Sequence, residues 1–537
     1  MGYFTTVRKI LTTKIYIEMN KLRIIVALIM LLFCLYGIAG SKDRSLKNPV
    51  FVFNNALNKQ DIKFIPYTEQ ASMLKKMGFY GIEHRETEGI LELKAAFKEK
   101  GLNIYADYLK IDIEQKDPYL PDWKQVIPKL KGTGIILWVH IHSVKYKPSD
   151  EAADEAVVKI LQELADFAKP YSVRLAIYHH VGFLAEKAED SYRLAQKANR
   201  DNIGSVFNLC HFLKTDTEDN LEKVINLTLP KLFAVSISGA DCGDTKNMDW
   251  NRLIQPLGKG TFDVYRVVEI LADKGFKGPI GIQCYNLKGA PESYLTQSSE
   301  AWNSFKKKYS IPVNSLSAKE KKDGWKLLFD GKSTENWRGI NQNTFPAKGW
   351  RVENGDLIAC VEGGAESGNG GDIITKKQFG NFILRWDWRM ETVGGNSGVK
   401  YFVQEGVGSN KGYGFGLEYQ LLDDKNHAWM LEGKMKPNDY HTLGALYELY
   451  TASPDKRPSP LGLWNESMIV SNGSHAEHWL NGQKILEYER GSADFKAKIA
   501  LSKFKDVEGY GIMPQGYLLL QDHGSIIHFR NILIKEL

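Results

Sequence analysis

Eight short apolar runs recur between residues 48 and 310, and each is followed by a helical pattern. They are Val50–Asn54, Tyr80–His84, Asn103–Asp107, Ile135–His140, Val173–Tyr178, Ser205–Asn208, Leu232–Ile237 and Pro279–Gln283. Runs this short do not make helices, and near-continuous apolar character marks strands buried on both faces. Amphipathic stretches such as Glu69–Lys76 and Ala152–Phe167 separate them. Eight similar units in roughly 260 residues predict a closed (β/α)8 barrel over 47–310, rather than a doubly wound sheet.

In such a barrel the working side chains sit at the C-terminal ends of the strands. Those ends carry Glu83 and His84, Asp107, His140 and His142, Tyr178, His179 and His180, Asn208 and His211, Ser236, Ser238 and Asp241, and Gln283 and Tyr285. Five of the twelve histidines fall at the ends of strands four to six. A solvated surface does not need that clustering, whereas a pocket that binds sugar hydroxyls or moves protons does. Glu83, His140, His142, His179, His180, Asn208, His211 and Gln283 are therefore the expected pocket residues. Taken singly, each histidine reads as a hydrogen-bonded filler, and only the cluster argues for function.

The segments GFYGIEH (78–84), VRLAIYHHVGF (173–183), SVFNLCHFL (205–213), SISGAD (236–241), LIQPLGKGTFD (253–263) and GPIGIQCY (278–285) resemble the xylose-isomerase-like sugar phosphate isomerase/epimerase superfamily. Its metal-dependent members hold a divalent cation with Glu, Asp, His and Glu on strands five to eight. The matching positions here are Tyr178, Asn208, Ser236 and Gln283. Hard divalent ions prefer anionic oxygen, so the resemblance implies that the inherited site is lost. A replacement built from His140, His142, His179 and His211 stays open. No cofactor is assigned, and a divalent metal is kept open.

Residues 311–323, IPVNSLSAKEKKD, are polar and unpatterned and read as a linker. From 324 to 537 the period becomes two. FILRWDWRME, GVKYFV, FGLEYQLLD and AEHWLNGQKILEYERG alternate, and Asn-Gly pairs at 354, 472 and 481 punctuate them. No long helical pattern interrupts, which predicts an antiparallel jelly-roll, concanavalin-like sandwich. Trp386 and Trp388 share a strand face and suit a core or a sugar platform equally.

This half resembles the 3-keto-disaccharide hydrolase domain family. The likeness rests on WKLLFDGKSTENWRG (325–339), GWRVENGDLIAC (349–360), GGNSGVKYF (394–402), GLEYQLLDD (416–424), GALYELY (444–450), LGLWNESMIV (461–470), HWLNGQKILEYE (478–489) and GYLLLQDHGSIIHFRNILIKEL (516–537). The resemblance implies chemistry on a sugar already oxidised at C3. The C2 proton leaves, the C1 oxygen is expelled, and water adds. Such a site needs a base at C2, a donor or cation at the ketone, and an acid at the leaving oxygen. Glu418, Asp522 and His523 are the expected catalytic groups. Gln420, Asp423, Glu448, Asn465, Gln521, Arg530 and Asn396 are the expected binding groups. The plainer alternative is that Asp522-His523-Gly524 is a hairpin turn and that Arg530 pairs with a structural carboxylate.

Ahead of both halves, a basic Met19–Arg23, an apolar Ile24–Tyr36 and small residues at Gly37–Ala39 read as a signal peptide within 1–40, initiated at Met19. The apolar run is short for a span of about 20 residues. Its five basic residues and one acid account for +4 of the formal +6, so nothing points to nucleic acid. Four scattered cysteines beyond it make no disulfide framework. The expectation is a secreted, periplasmic enzyme acting on 3-keto-glycosides. Two alternatives stand: the barrel is the lyase or epimerase and the sandwich binds or hydrates product, or the whole is a non-catalytic glycan-binding protein. Oligomeric state is not legible.

Overall fold

Eight parallel strands close the first half. They are β1 (Val50–Val52), β2 (Gly81–Arg85), β3 (Asn103–Asp112), β4 (Ile136–His142), β5 (Arg174–Tyr178), β6 (Ile203–Asn208), β7 (Leu232–Ile237) and β8 (Ile280–Ile282), each overlapping its expected run. Closure falls between β1 and β8, where Phe51 lies beside Gly281. A Cβ at Gly281 would sit 2.7 Å from Phe53 and 2.8 Å from Phe51, so glycine makes room for the aromatic interior. That interior holds Phe51, Phe53, Tyr108, Trp138 and Tyr178. The computed structural model describes residues 44–57, 64–360, 367–368, 370–406 and 414–537, so the signal peptide expected over 1–40 lies outside the described residues.

The second half is a sandwich of two antiparallel sheets. One runs β10 (Trp337–Gly339), β13 (Ile373–Thr375), β20 (Tyr517–Leu520), β15 (Asn396–Gln404), β16 (Phe415–Leu422). The other runs β11 (Trp350–Glu353), β12 (Asp356–Ala359), β21 (Ile527–Glu536), β14 (Phe382–Met390), β17 (Asn465–Asn472), β18 (His475–Leu480), β19 (Gln483–Glu489), with β9 (Lys326–Leu327) paired to β21. Strict alternation along β14 turns Phe382, Leu384, Trp386, Trp388 and Met390 inward. Trp386 and Trp388 are 1% and 4% exposed, so both are core and neither is a sugar platform.

Two local features depart from the sequence reading. A nine-residue helix, Ala493–Leu501, follows β19 and is capped by Ser492. Only Phe495 of it is buried, so it lacks the apolar stripe that would have betrayed it. Within the linker, Ala318–Lys322 is helical, with a capping box between Ser317 and Glu320. Glu320 pairs with Arg385 of β14. Asn314 and Asn531 exchange reciprocal bonds of 2.6 and 2.7 Å. The linker is thus docked on the sandwich.

Barrel and sandwich fall in one unit, Lys47–Leu537. Arg266, on the barrel helix Val264–Asp273, donates to the Trp464 carbonyl at 3.2 Å. Lys425 pairs with Asp219 at 3.1 Å. All four cysteines among the described residues are free thiols. No helix among them is long and apolar enough to cross a membrane.

Candidate active site

The polar face of the five-stranded sheet is built by strand alternation. Leu417, Tyr419 and Leu421 of β16 enter the core, which sends Glu418 and Gln420 to the opposite face, as expected. Across the pair, Lys400 lies opposite Glu418 and Gly398 opposite Gln420. Lys400 Nζ is 3.6 Å from Glu418 Oε2, and both side chains are nearly buried. A Cβ at Gly398 would lie 2.5 Å from Glu418 Oε1, so only glycine leaves that carboxyl its place.

A relay runs along the same face. Gln420 Nε2 donates to Asn396 Oδ1 at 2.8 Å, and Asn396 Nδ2 donates to His523 Nε2 at 3.2 Å. An imidazole that accepts at Nε2 carries its neutral-state proton on Nδ1. Gln420 Oε1 is buried with no partner among the described residues, leaving an acceptor for a hydroxyl. Gln521 joins the face backbone to backbone, donating to the Gly398 carbonyl at 3.0 Å. Asp522-His523-Gly524 carries the chain from β20 in one sheet to β21 in the other, so it is a crossover and not a hairpin turn. Asp522 is 1% exposed; its amide donates to Asp372 at 2.9 Å and its carboxylate accepts from Gly524 at 3.2 Å. Those bonds hold the turn that presents His523.

The loop after β16 forms a rim. Asp423 accepts from Gly394 at 2.8 Å and from Asn426 at 2.9 Å, and its carbonyl receives His427 N at 3.0 Å. Burial, then the neighbouring His523, holds the His427 imidazole below its ordinary range. The Trp429 ring stands 5.7 Å from His427 and 6.3 Å from His441. His441 bridges Asp439 at 2.7 Å and Glu448 at 3.1 Å. Trp429 and Tyr440 stay 48% and 40% exposed, unlike the buried tryptophans of β14. Sequence reasoning named Glu448 and missed Lys400, His427, Trp429, Tyr440 and His441. The histidine–aromatic pairs in NHAW and DYH were the available signal.

Two expected binding residues lie elsewhere. Arg530 is on β21 of the other sheet, where Nε meets Asp387 at 3.3 Å and the guanidinium covers the Trp464 ring at 3.9 Å. A structural carboxylate is therefore its partner. Asn465 accepts from Ser459 N at 2.6 Å and from Asn481 Nδ2 at 2.9 Å, tying a loop.

The barrel mouth gathers its expected residues. Rings of His180 and His211 are 3.9 Å apart, His140 and Tyr178 5.1 Å, His140 and His142 6.5 Å, and Trp250 and His211 5.3 Å. Burial is the leading cause that holds His140, His180 and His211 below the ordinary imidazole range. His179 faces Asn208, whose amide donates to its Nε2 at 2.8 Å. Asn208 Oδ1 caps the helix Leu209–Thr215, accepting from Cys210 at 3.1 Å and His211 at 3.4 Å, while its Nδ2 donates to the Tyr178 hydroxyl. Gln283 Oε1 is equally committed, to Asn55 at 2.7 Å and to the amides of Cys284 and Tyr285 at 3.0 Å. Glu83 is fully buried and its carboxyl is pushed up to about 8 by that burial, against the pull of Arg85.

Structurally, this is a fusion of an isomerase-like barrel with a jelly-roll domain that bears a polar sheet face. The model of a 3-keto-alpha-glucoside-1,2-lyase-like domain matches residues 324–535, and that of a xylose isomerase-like TIM barrel matches 71–305. A "3-keto-disaccharide hydrolase" of Bacteroides thetaiotaomicron is 30% identical over 278 residues, 48% of this chain and 94% of that protein. An "inosose isomerase" of Bacillus subtilis is 24% identical over 213 residues, 39% of this chain and 74% of that protein. A crystal structure of a Parabacteroides distasonis protein is 36% identical with a TM-score of 0.36, covering 42% of this chain and 99% of that one. Through its sandwich half, the chain belongs to the 3-keto-disaccharide hydrolase family.

Proposed function

We propose that this is a secreted, periplasmic enzyme that cleaves the glycosidic bond of 3-keto-disaccharides and related 3-keto-glycosides. The observation that carries the reading is one sheet face holding both the Lys400–Glu418 pair and the Gln420–Asn396–His523 relay. A B. thetaiotaomicron relative named for 3-keto-disaccharide hydrolysis supports the substrate class.

Glu418 takes the C2 proton, and the C–H electron pair moves toward C3 as the ketone oxygen gains charge. Lys400 balances that charge in a nearly dry setting, where a fixed cation is worth more than in water. The C1 oxygen then leaves with the Nδ1 proton of His523. Water adds across the resulting enone, oxygen to C1 and hydrogen to C2, so the sum is hydrolysis. Asp522 acts as a positioning residue beneath His523. Gln420 Oε1 accepts a sugar hydroxyl, and Trp429 offers a face to the sugar beyond the cleaved bond.

Aglycone release from synthetic 3-keto-glucosides tests this. Glu418→Gln and His523→Asn should each lower release by about 10²- to 10⁴-fold for an alkyl leaving group. A 4-nitrophenyl leaving group needs no acid, so it should rescue His523→Asn and leave Glu418→Gln inactive. Rescue of both, or of neither, removes these roles. A wild-type protein that binds but never releases aglycone is a glycan-binding protein instead.

A further inference from the structure

The barrel's fold family implies a divalent cation, and the donors here do not fit one. Asn208 and Gln283 spend their carbonyl oxygens on backbone amides, and Tyr178 is bonded to Asn208. Ser236 is a lone neutral hydroxyl. Among the described residues, the one group of three His, Cys, Asp or Glu ligands converging within 4.8 Å is His475, Glu477 and Glu487 on the sandwich. In that group Lys484 already pairs with both carboxylates.

The mouth nevertheless holds a positive charge that the sequence reading passed over. Arg85 ends β2, its guanidinium 5.3 Å from the centroid of the Tyr108 ring, and that ring lies 4.1 Å from His140 and 5.1 Å from Tyr178. Arg85 Nε meets Glu83 at 3.6 Å while the side chain stays 55% exposed, so its remaining N–H groups reach the mouth. Ser236 Oγ, His140 Nε2 and His211 Nδ1 are buried polar atoms with no partner among the described residues, as expected of a pocket awaiting hydroxyls. His180 is pinned by its Nδ1 bond of 2.8 Å to the Val181 carbonyl, which leaves Nε2 as its basic nitrogen.

We infer that the barrel mouth is a second, metal-independent site for a carbonyl sugar, in which the Arg85 guanidinium supplies the positive charge. His180 Nε2 takes the proton from the carbon next to the carbonyl. The C–H pair becomes the C=C bond, and the carbonyl π pair moves onto oxygen, held by Arg85. Return of a proton from His180 to that carbon regenerates the sugar with its proton exchanged for one from solvent, and return to the former carbonyl carbon on the same face, with the neighbouring hydroxyl proton moving to the enolate oxygen, gives the isomer. Neither outcome needs an oxidant or a reductant.

The test separates this site from the sandwich. Full-length Glu418→Gln/His523→Asn protein, dialysed against EDTA, is incubated with 3-keto-glucose in D2O, and loss of the proton signals flanking the ketone is followed by NMR. The choice of a 3-keto sugar rests on the proposed function, which wild-type aglycone release checks separately. Exchange should exceed buffer by at least about 100-fold, be unchanged by added Mn²⁺ or Zn²⁺, and fall about 100-fold on adding Arg85→Gln. His180→Gln should abolish it as well, and both variants should keep the parent thermal melt and, in an otherwise wild-type chain, full aglycone release. No exchange above buffer, exchange that needs a divalent ion, or exchange indifferent to either Arg85→Gln or His180→Gln overturns the inference.

Discussion

Asn396→Asp is a one-atom change that tests the proton inventory of the sandwich site. Asn396 donates to His523 Nε2 at 3.2 Å and accepts from Gln420 at 2.8 Å. A carboxylate keeps the second bond and reverses the first, because it can only accept. Neutral His523 must then carry its proton on Nε2, and the Nδ1 donor disappears. A hydrogen bond to a charged group is worth about 1.5–3 kcal/mol, so the wrong tautomer is favoured about 10- to 150-fold. Turnover of an alkyl 3-keto-glucoside at pH 8.5 should fall by that factor. Asn396→Ala merely unpins the tautomer, costing about 0.5–1.5 kcal/mol or 2- to 13-fold. The assay is kcat at pH 8.5 for the three proteins. An Asn396→Asp enzyme with wild-type turnover at pH 8.5 would refute the tautomer argument and the acid role of His523 with it.

Three further outcomes follow from particular contacts. His478 is buried, bonded to the Gly444 carbonyl at 2.9 Å and the Tyr401 hydroxyl at 2.8 Å, and burial pulls it down to about 4. Its folded value lies below the ordinary 6.5, so its contribution of about 3 kcal/mol is complete above pH 6.5 and is lost as pH falls toward 4. Urea midpoints at pH 7.5 and 5 should show that loss, and His478→Gln should shrink the pH difference. Arg530→Met leaves the half-buried Asp387 without its cation but with its Asn531 bond, and should cost about 1.5–3 kcal/mol in melts while kcat and KM stay unchanged; a raised KM would return Arg530 to the substrate site. Trp429→Ala should raise KM for 3-keto-disaccharides about 5- to 10-fold through a lost stacking face, with methyl 3-keto-glucoside unaffected.

The barrel was legible because each of its strands is a local signal, a short apolar run with its own terminator. Glu418 and Gln420 were legible for a similar reason: period-two alternation fixes a shared face without knowledge of the partner strand. Arg530 was misplaced because its face and sheet are set by pairing with β14, nearly 150 residues earlier in the chain, which no local pattern encodes. Asn208 read as a vacated ligand position, and the structure shows an N-cap, a role written in the Asn-Leu-Cys-His junction of strand and helix. Arg85 went unnoticed because an arginine just past a strand looks like a solvated end. Only the ring neighbours show that it turns over the mouth.

The order of strands also sets when each half can fold. The barrel closes once β8 has been made, with some 255 residues of chain still to come. The sandwich cannot close so early. Its last strand, β21, lies between β12 and β14 in the middle of the larger sheet and also receives β9, the first strand of the domain. Until β21 arrives, β12 and β14 each expose an unpaired apolar edge, the kind of surface that recruits other chains. During synthesis a finished barrel is therefore tethered to a sheet whose place between β12 and β14 stays open until β21 is made.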